Sequence, residues 1–197
     1  MQVVQAFLSL SMAFGLSTSA GLNAYIPLLV IALVDRLTNG VMDLQGPWAW
    51  LSSWWTIGVL VVLLMVEVLV DKVPAADTVN NIIQTVIRPA AGAILFAAST
   101  QAIGIHPVVA AICGVILAGG VHVAKSGSRP VLSTVTGGAA SPILSTIEDI
   151  LATATSIIAV VFPYLVLAFV LLVLLAVLLI VVGRRRRARA RVRVTVK

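Results

Sequence analysis

Gly15-Leu16-Ser17-Thr18-Ser19-Ala20-Gly21-Leu22-Asn23-Ala24-Tyr25-Ile26-Pro27 stands in the middle of an apolar run from Val3 to Val34, and its reading decides the fold. As one helix that run would be about 48 Å long at 1.5 Å per residue, against a bilayer core of about 30 Å. One upright span cannot hold it. The quoted stretch supplies glycines, hydroxyls that satisfy freed backbone groups, and a proline that removes a helical hydrogen bond. It predicts a first helix that is kinked or locally unwound between Gly15 and Pro27.

A broken apolar helix of this kind belongs in lipid, and the composition agrees. The chain has 197 residues, 60% of them hydrophobic and 10% charged, with a mean hydropathy of +1.14. So few charges cannot cover a water-facing surface, whereas runs such as Ile57 to Val66 and Val160 to Val182 suit a bilayer. The reading is an all-α polytopic transmembrane bundle over residues 1–183, followed by a basic tail over 184–197. Cys113, the single cysteine, lies in an apolar run and reads as a packing residue. Phe7 to Leu16 followed by Thr18-Ser19-Ala20 resembles a signal peptide, but it has no basic n-region and the apolar run resumes at Tyr25, so a retained membrane segment is expected.

Outward from the break, a polar stretch from Asp35 to Ser53 ends in Trp48, Trp50, Trp54 and Trp55, an aromatic interface belt. A second span runs from Trp54 to about Val70. A third follows Asp77-Thr78-Val79-Asn80-Asn81 and extends to about Ala102, with Pro89 bending it near Arg88. A fourth covers Pro107 to about Val123, before a Ser/Gly-rich connection from Lys125 to Ser141. A fifth starts near Ile143, and a sixth ends at Val182, because one helix from Ile150 to Val182 would be about 50 Å long. A hairpin turning at Phe162-Pro163-Tyr164 is therefore expected, for about six spans in all.

Eight of the thirteen basic residues lie between Arg184 and Lys197. Immediately after an apolar span, Arg184, Arg185, Arg186 and Arg187 read as a cytoplasmic anchor on anionic lipid headgroups. Nucleic acid is not expected as a partner, since no aromatic or folded module accompanies the arginines. Counting six spans back from a cytoplasmic tail puts Lys72, Arg88, Lys125 and Arg129 on the cytoplasmic side, with both termini there and the tryptophan loop outside.

Of seven acidic residues, Glu67, Asp71, Glu148 and Asp149 sit in or beside the spans. A carboxylate at the centre of a membrane helix costs roughly 2.5 to 3.5 kcal/mol on insertion scales, which makes each a candidate for an ion or proton pathway. Glu67 and Asp71, four apart, share a helix face. Adjacent Glu148 and Asp149 point about 100° apart, so at most one of them can share a site with Glu67. Equally, these acids can snorkel to headgroups, stabilise a helix start, or pair with Lys72, Arg88, Lys125 or Arg129.

Ser17, Thr18, Ser19, Asn23 and Tyr25 would line a site at the break, where unwound backbone can coordinate an ion or polar solute; alternatively the hydroxyls bond their own backbone and the small residues make a tight crossing. Thr134 to Pro142 repeats the glycine, hydroxyl and proline content and raises a 3+3 inverted repeat. Ala110, Gly114 and Ala118 form a small-residue face for close packing within or between subunits. His106 and His122 lie at opposite ends of the fourth span and cannot share a metal. Neither a metal-ligand pair at helical spacing, a nucleophile with its base, nor a phosphate-cradling loop is present. No enzyme, metal or cofactor is expected.

Gly21 to Leu29, Ser53-Trp54-Trp55, Glu67 to Pro74, Gln84 to Ala93 and Ile147-Glu148-Asp149 together resemble the bacterial membrane family DUF4126 over most of the chain outside the arginine tail. The resemblance implies a multi-span protein of the bacterial inner membrane and carries over no catalytic or binding residue. The expectation is a small transporter or channel for an ion or polar solute, homo-oligomeric, using the broken first helix and membrane carboxylates. The alternative is a structural or regulatory protein that binds lipid or scaffolds a partner without transport.

Overall fold

The computed structural model describes residues 2–38, 44, 46–70, 74–136, 141–166, 168 and 172, with 74–79, 81, 128–136 and 141 described by backbone alone. Every regular element in them is helical. These are α1 (Gln2–Leu22), α2 (Tyr25–Leu37), α3 (Trp54–Val70), α4 (Pro74–Thr100), α5 (Pro107–Thr136) and α6 (Ser141–Val161), with short 3-10 helices at Gly46–Ser52 and Gln101–Ile103. Four stretches are long and apolar enough to cross a membrane: Gln2–Leu22, Ile82–Ile103, Pro107–Gly127 and Pro142–Val161. Gly46–Ser52 and Trp54–Val70 qualify as a fifth if the 58° bend between them lies within one span. Most of a sixth span between Tyr164 and Val182 and all of the tail Arg184 to Arg187 lie outside the described residues, as does Asp71.

The helix ends follow local chemistry. Pro74 and Pro107 open α4 and α5, at a position where the missing N–H costs nothing. Ser53 caps α3, its hydroxyl accepting the Thr56 amide at 3.2 Å. Asn23 caps α2 in the same way, its Oδ1 accepting the Tyr25 and Ile26 amides at 3.0 and 3.2 Å. Gly104, at φ 70°, ends the 3-10 turn after α4 in the left-handed conformation that other residues avoid.

The break is narrower than the sequence suggests. Gly15 through Leu22 stay helical, and only Asn23-Ala24 separate α1 from α2. There the chain reverses. The far end of α2 meets the start of α3, with Arg36 5.4 Å from the Trp54 ring, while Trp48 packs against Ala13, Phe96, Ala97 and Ala110, well down the bundle from Leu22. From Arg88, level with Gly21, to Gln101 is thirteen steps or about 20 Å, and the 13 residues of α2 cover that distance on the way back. Residues 2–37 are therefore a helical hairpin with its tip at Asn23, rather than one kinked span. The Gln2 end of α1 lies opposite the tip.

α1 is the central strut, packed on α4, α5 and α6, and small residues set its spacing. A Cβ on Gly21 would stand 2.5 Å from Val121 Cβ, and one on Gly15 2.5 Å from Ala159 Cβ. The Ala110/Gly114/Ala118 face packs within the chain: a Cβ on Gly92 of α4 would lie 2.5 Å from Ala118 Cβ and 2.6 Å from the Gly114 carbonyl. Ala159 and Val166 both stand close to Gly15, so the chain bends at Phe162-Pro163-Tyr164, while most of the expected return span lies outside the described residues. α5 departs from expectation by staying helical through Lys125 to Thr136. A 3+3 inverted repeat is not confirmed among the described residues, which leave out most of the sixth span that it requires.

Polarity is inverted relative to a water-soluble bundle. Val59, Val62, Met65, Val66 and Leu69 of α3, and Ile112 and Ile116 of α5, face outward, while Ser17, Ser19, Asn23, Glu67, Gln84 and Arg88 are buried. An apolar exterior around a polar interior is what a lipid solvent selects.

Candidate functional site

The polar interior is concentrated at the tip of the α1–α2 hairpin. α1 ends at Leu22 inside the bundle, so its last carbonyls lack intrahelical partners and carry the negative end of the helix dipole. Two cations from other helices meet them. Lys125 Nζ of α5 donates to the Leu22 carbonyl at 2.9 Å, and Arg88 Nη1 of α4 reaches the Gly21 carbonyl at 3.5 Å. Lys125 is the stronger cap by distance.

Each cation is balanced by a carboxylate from a further helix. Lys125 Nζ lies 2.6 Å from Glu148 Oε2 of α6, and Arg88 Nη2 lies 3.2 Å from Glu67 Oε1 of α3. All four side chains are at most 8% exposed. Desolvating such a pair costs several kcal/mol per ion and is recovered only with good geometry and further hydrogen bonds. The helix-end carbonyls supply those bonds here. Asn23 completes the tip: its Oδ1 caps α2 while its Nδ2 donates to Asp149 Oδ1 at 2.9 Å.

A second layer surrounds Arg88. Nη1 also meets His122 Nδ1 at 3.2 Å, and His122 Nε2 faces Thr85 Oγ1 at 3.1 Å and Ser126 Oγ at 3.5 Å. Gln84, one turn before Arg88, bonds the Tyr25 side chain, which also lies in the fields of Glu67 and Arg88. Gln84 Oε1 and Arg88 Nε are buried without a hydrogen-bond partner among the described residues.

Of the residues singled out from sequence, Glu67, Glu148, Asp149, Asn23 and Tyr25 converge on this junction. Glu67 and Glu148 do not pair with each other; each has its own cation. Glu148 and Asp149 diverge as adjacent helical residues must, one toward Lys125 and the other toward Asn23. Ser17 and Ser19 lie deeper and bond neighbouring helices rather than their own: Ser17 Oγ donates to the Gly92 carbonyl at 3.0 Å, and Ser19 Oγ to the Ala152 carbonyl at 2.8 Å, beside Ser156 Oγ at 2.8 Å. Thr18 is half-buried on α1 between them.

Sequence reasoning passed over His122 and Gln84. The signal for both was helical spacing, Gln84 standing four before Arg88 and His122 three before Lys125. No group of three or more His, Cys, Asp or Glu able to hold a metal occurs among the described residues.

A family model described as "Domain of unknown function (DUF4126)" matches residues 10–184. No curated protein and no solved structure matches the chain.

Proposed function

From a chain that belongs to the DUF4126 family, we propose a small membrane transport protein in which the α1–α2 hairpin tip is the moving element and the two buried ion pairs are its latch. The observation that carries this reading is the junction itself. Helix-end carbonyls, two cations and two carboxylates from five different helices meet at the point where the membrane backbone is interrupted. Interrupted helices whose ends face charges are how secondary transporters build binding sites.

Buried ion pairs contribute little net stability against apolar substitutes, and their best-attested use is to fix one of two alternative arrangements. Here the carboxylates act as latch partners rather than as open cation ligands. Gln84 Oε1 and Arg88 Nε, an acceptor and a donor one turn apart, are available to a small polar solute once the tip moves.

Orientation follows from the positive-inside bias. Placing Lys72, Arg88, Lys125 and Arg129 on the cytoplasmic side puts the latch in the cytoplasmic half, as read from sequence. Because the hairpin reverses, the Gln2 end of α1 then faces the opposite side, in contrast to the expectation of two cytoplasmic termini.

The pairing of Glu67 with Arg88 and of Glu148 with Lys125 favours a second reading, a purely structural junction without transport. Purified protein in liposomes separates the two. Ion or proton flux that changes in Glu67→Gln and Glu148→Gln, at retained folding, supports the latch; flux indistinguishable from empty liposomes leaves the structural reading.

A further inference from the structure

We propose that the ion bound at this junction is the proton and that His122 of α5 takes it. The inference rests on the transport reading for its purpose, although the site is defined by its own geometry. A guanidinium only donates hydrogen bonds, so the 3.2 Å approach of Arg88 Nη1 to His122 Nδ1 requires a lone pair on Nδ1. His122 is then neutral with its hydrogen on Nε2, directed at the Thr85 hydroxyl 3.1 Å away, with Ser126 Oγ at 3.5 Å. Both hydroxyls can rotate to accept it.

A proton delivered by hydronium from the aqueous side binds Nδ1, returns water, and leaves an imidazolium with Nε2–H unchanged. Nδ1 then becomes a donor facing a donor, and two cations stand where one stood. Arg88 must withdraw, and the Nη1 it withdraws is the one that reaches the Gly21 carbonyl. Protonation therefore loosens the α1 end at the hairpin tip. Among the described residues, His122 meets Arg88 of α4, and the junction it adjoins holds Glu67 of α3, Tyr25 of α2, Lys125 of α5, and Glu148 and Asp149 of α6; α1 contributes the Gly21 and Leu22 carbonyls. The acids are engaged with Arg88, Lys125 and Asn23, which leaves Arg88 to respond first.

The test uses the whole chain in bilayer nanodiscs with nitrogen-15 histidine. The chain has two histidines, His106 and His122, and His106→Gln assigns their signals. The expected spectrum near neutral pH shows His122 as the Nε2–H tautomer, converting to imidazolium in a one-proton titration as pH falls. A fluorine label at Leu22→Cys, in a Cys113→Ala background, should shift with the same midpoint. It should lose that shift in His122→Gln, which keeps an acceptor toward Arg88 but cannot titrate. An Nδ1–H tautomer at neutral pH in the unaltered histidine site, or a Leu22 response that survives in His122→Gln, overturns the proposal. If both signatures appear but liposomes show no flux, the transport reading falls and the proton site stands.

Discussion

Lys125 Nζ lies 2.6 Å from Glu148 Oε2 while donating to the Leu22 carbonyl at 2.9 Å, so one ammonium ties α5 to α6 and to the end of α1. Removing the carboxylate takes a close counter-ion from a buried cation. Glu148→Gln should lower folding stability by about 3 to 5 kcal/mol, the usual cost of breaking a buried pair from one side. Adding Lys125→Met should recover most of that loss, because the charge that Glu148 balances goes with it. The check is a double-mutant cycle by denaturant titration in detergent; purely additive losses would show that the two groups do not act together.

Asn23 holds two roles with one amide, capping α2 and donating to Asp149. Asn23→Ala should cost about 1 kcal/mol for the cap alone, and more because the hydrogen bond to Asp149 goes as well. Asn23→Asp keeps the cap yet sets two carboxylates face to face. Thermal unfolding should therefore rank wild type above Asn23→Ala, with Asn23→Asp no better than Ala despite its capping oxygen.

The glycines separate by what surrounds them. Gly92→Ala and Gly114→Ala each push a methyl into the backbone of the facing helix and should destabilise by about 1 to 3 kcal/mol. Gly58 in α3 has open space where its Cβ would sit. Gly58→Ala should be neutral or stabilising by about 0.5 to 1 kcal/mol, through helix propensity. Unfolding of the three variants in one detergent is the comparison, and equal losses at all three positions would contradict the packing.

Most of the helical frame was legible because hydropathy and prolines fix it. The helix from Trp54 to Val70, the start at Pro107 and the interruption before Pro163 stand where the sequence puts them. Glu67 and Glu148 were marked as costly in lipid, and Arg88 and Lys125 were among their possible counter-ions. The direction of the chain after Asn23 was not legible, because glycine, hydroxyl and proline content signals an interruption equally well for a kink and for a reversal. Helix rotation was also hidden. Hydropathy gives where α4 ends and α5 begins but not that His122, Thr85 and Arg88 turn toward one another, so His122 read only as a histidine at one end of the fourth span.

The reversal carries its own consequence for topology. A tag at the Gln2 end should be reached by an impermeant reagent from the side opposite to that which reaches a cysteine near the end of α5. Labelling of both from one side would contradict the hairpin.

The central claim is that the hairpin must move relative to the bundle for transport to occur. Ser19 Oγ of α1 and Ser156 Oγ of α6 are 2.8 Å apart, which brings their Cβ atoms near disulfide range, and Ser→Cys is nearly isosteric. In a Cys113→Ala background, Ser19→Cys with Ser156→Cys should give liposome flux that falls at least tenfold on oxidation and returns with reductant, each single cysteine being unaffected. Flux that is the same with the cross-link formed and reduced would contradict the account.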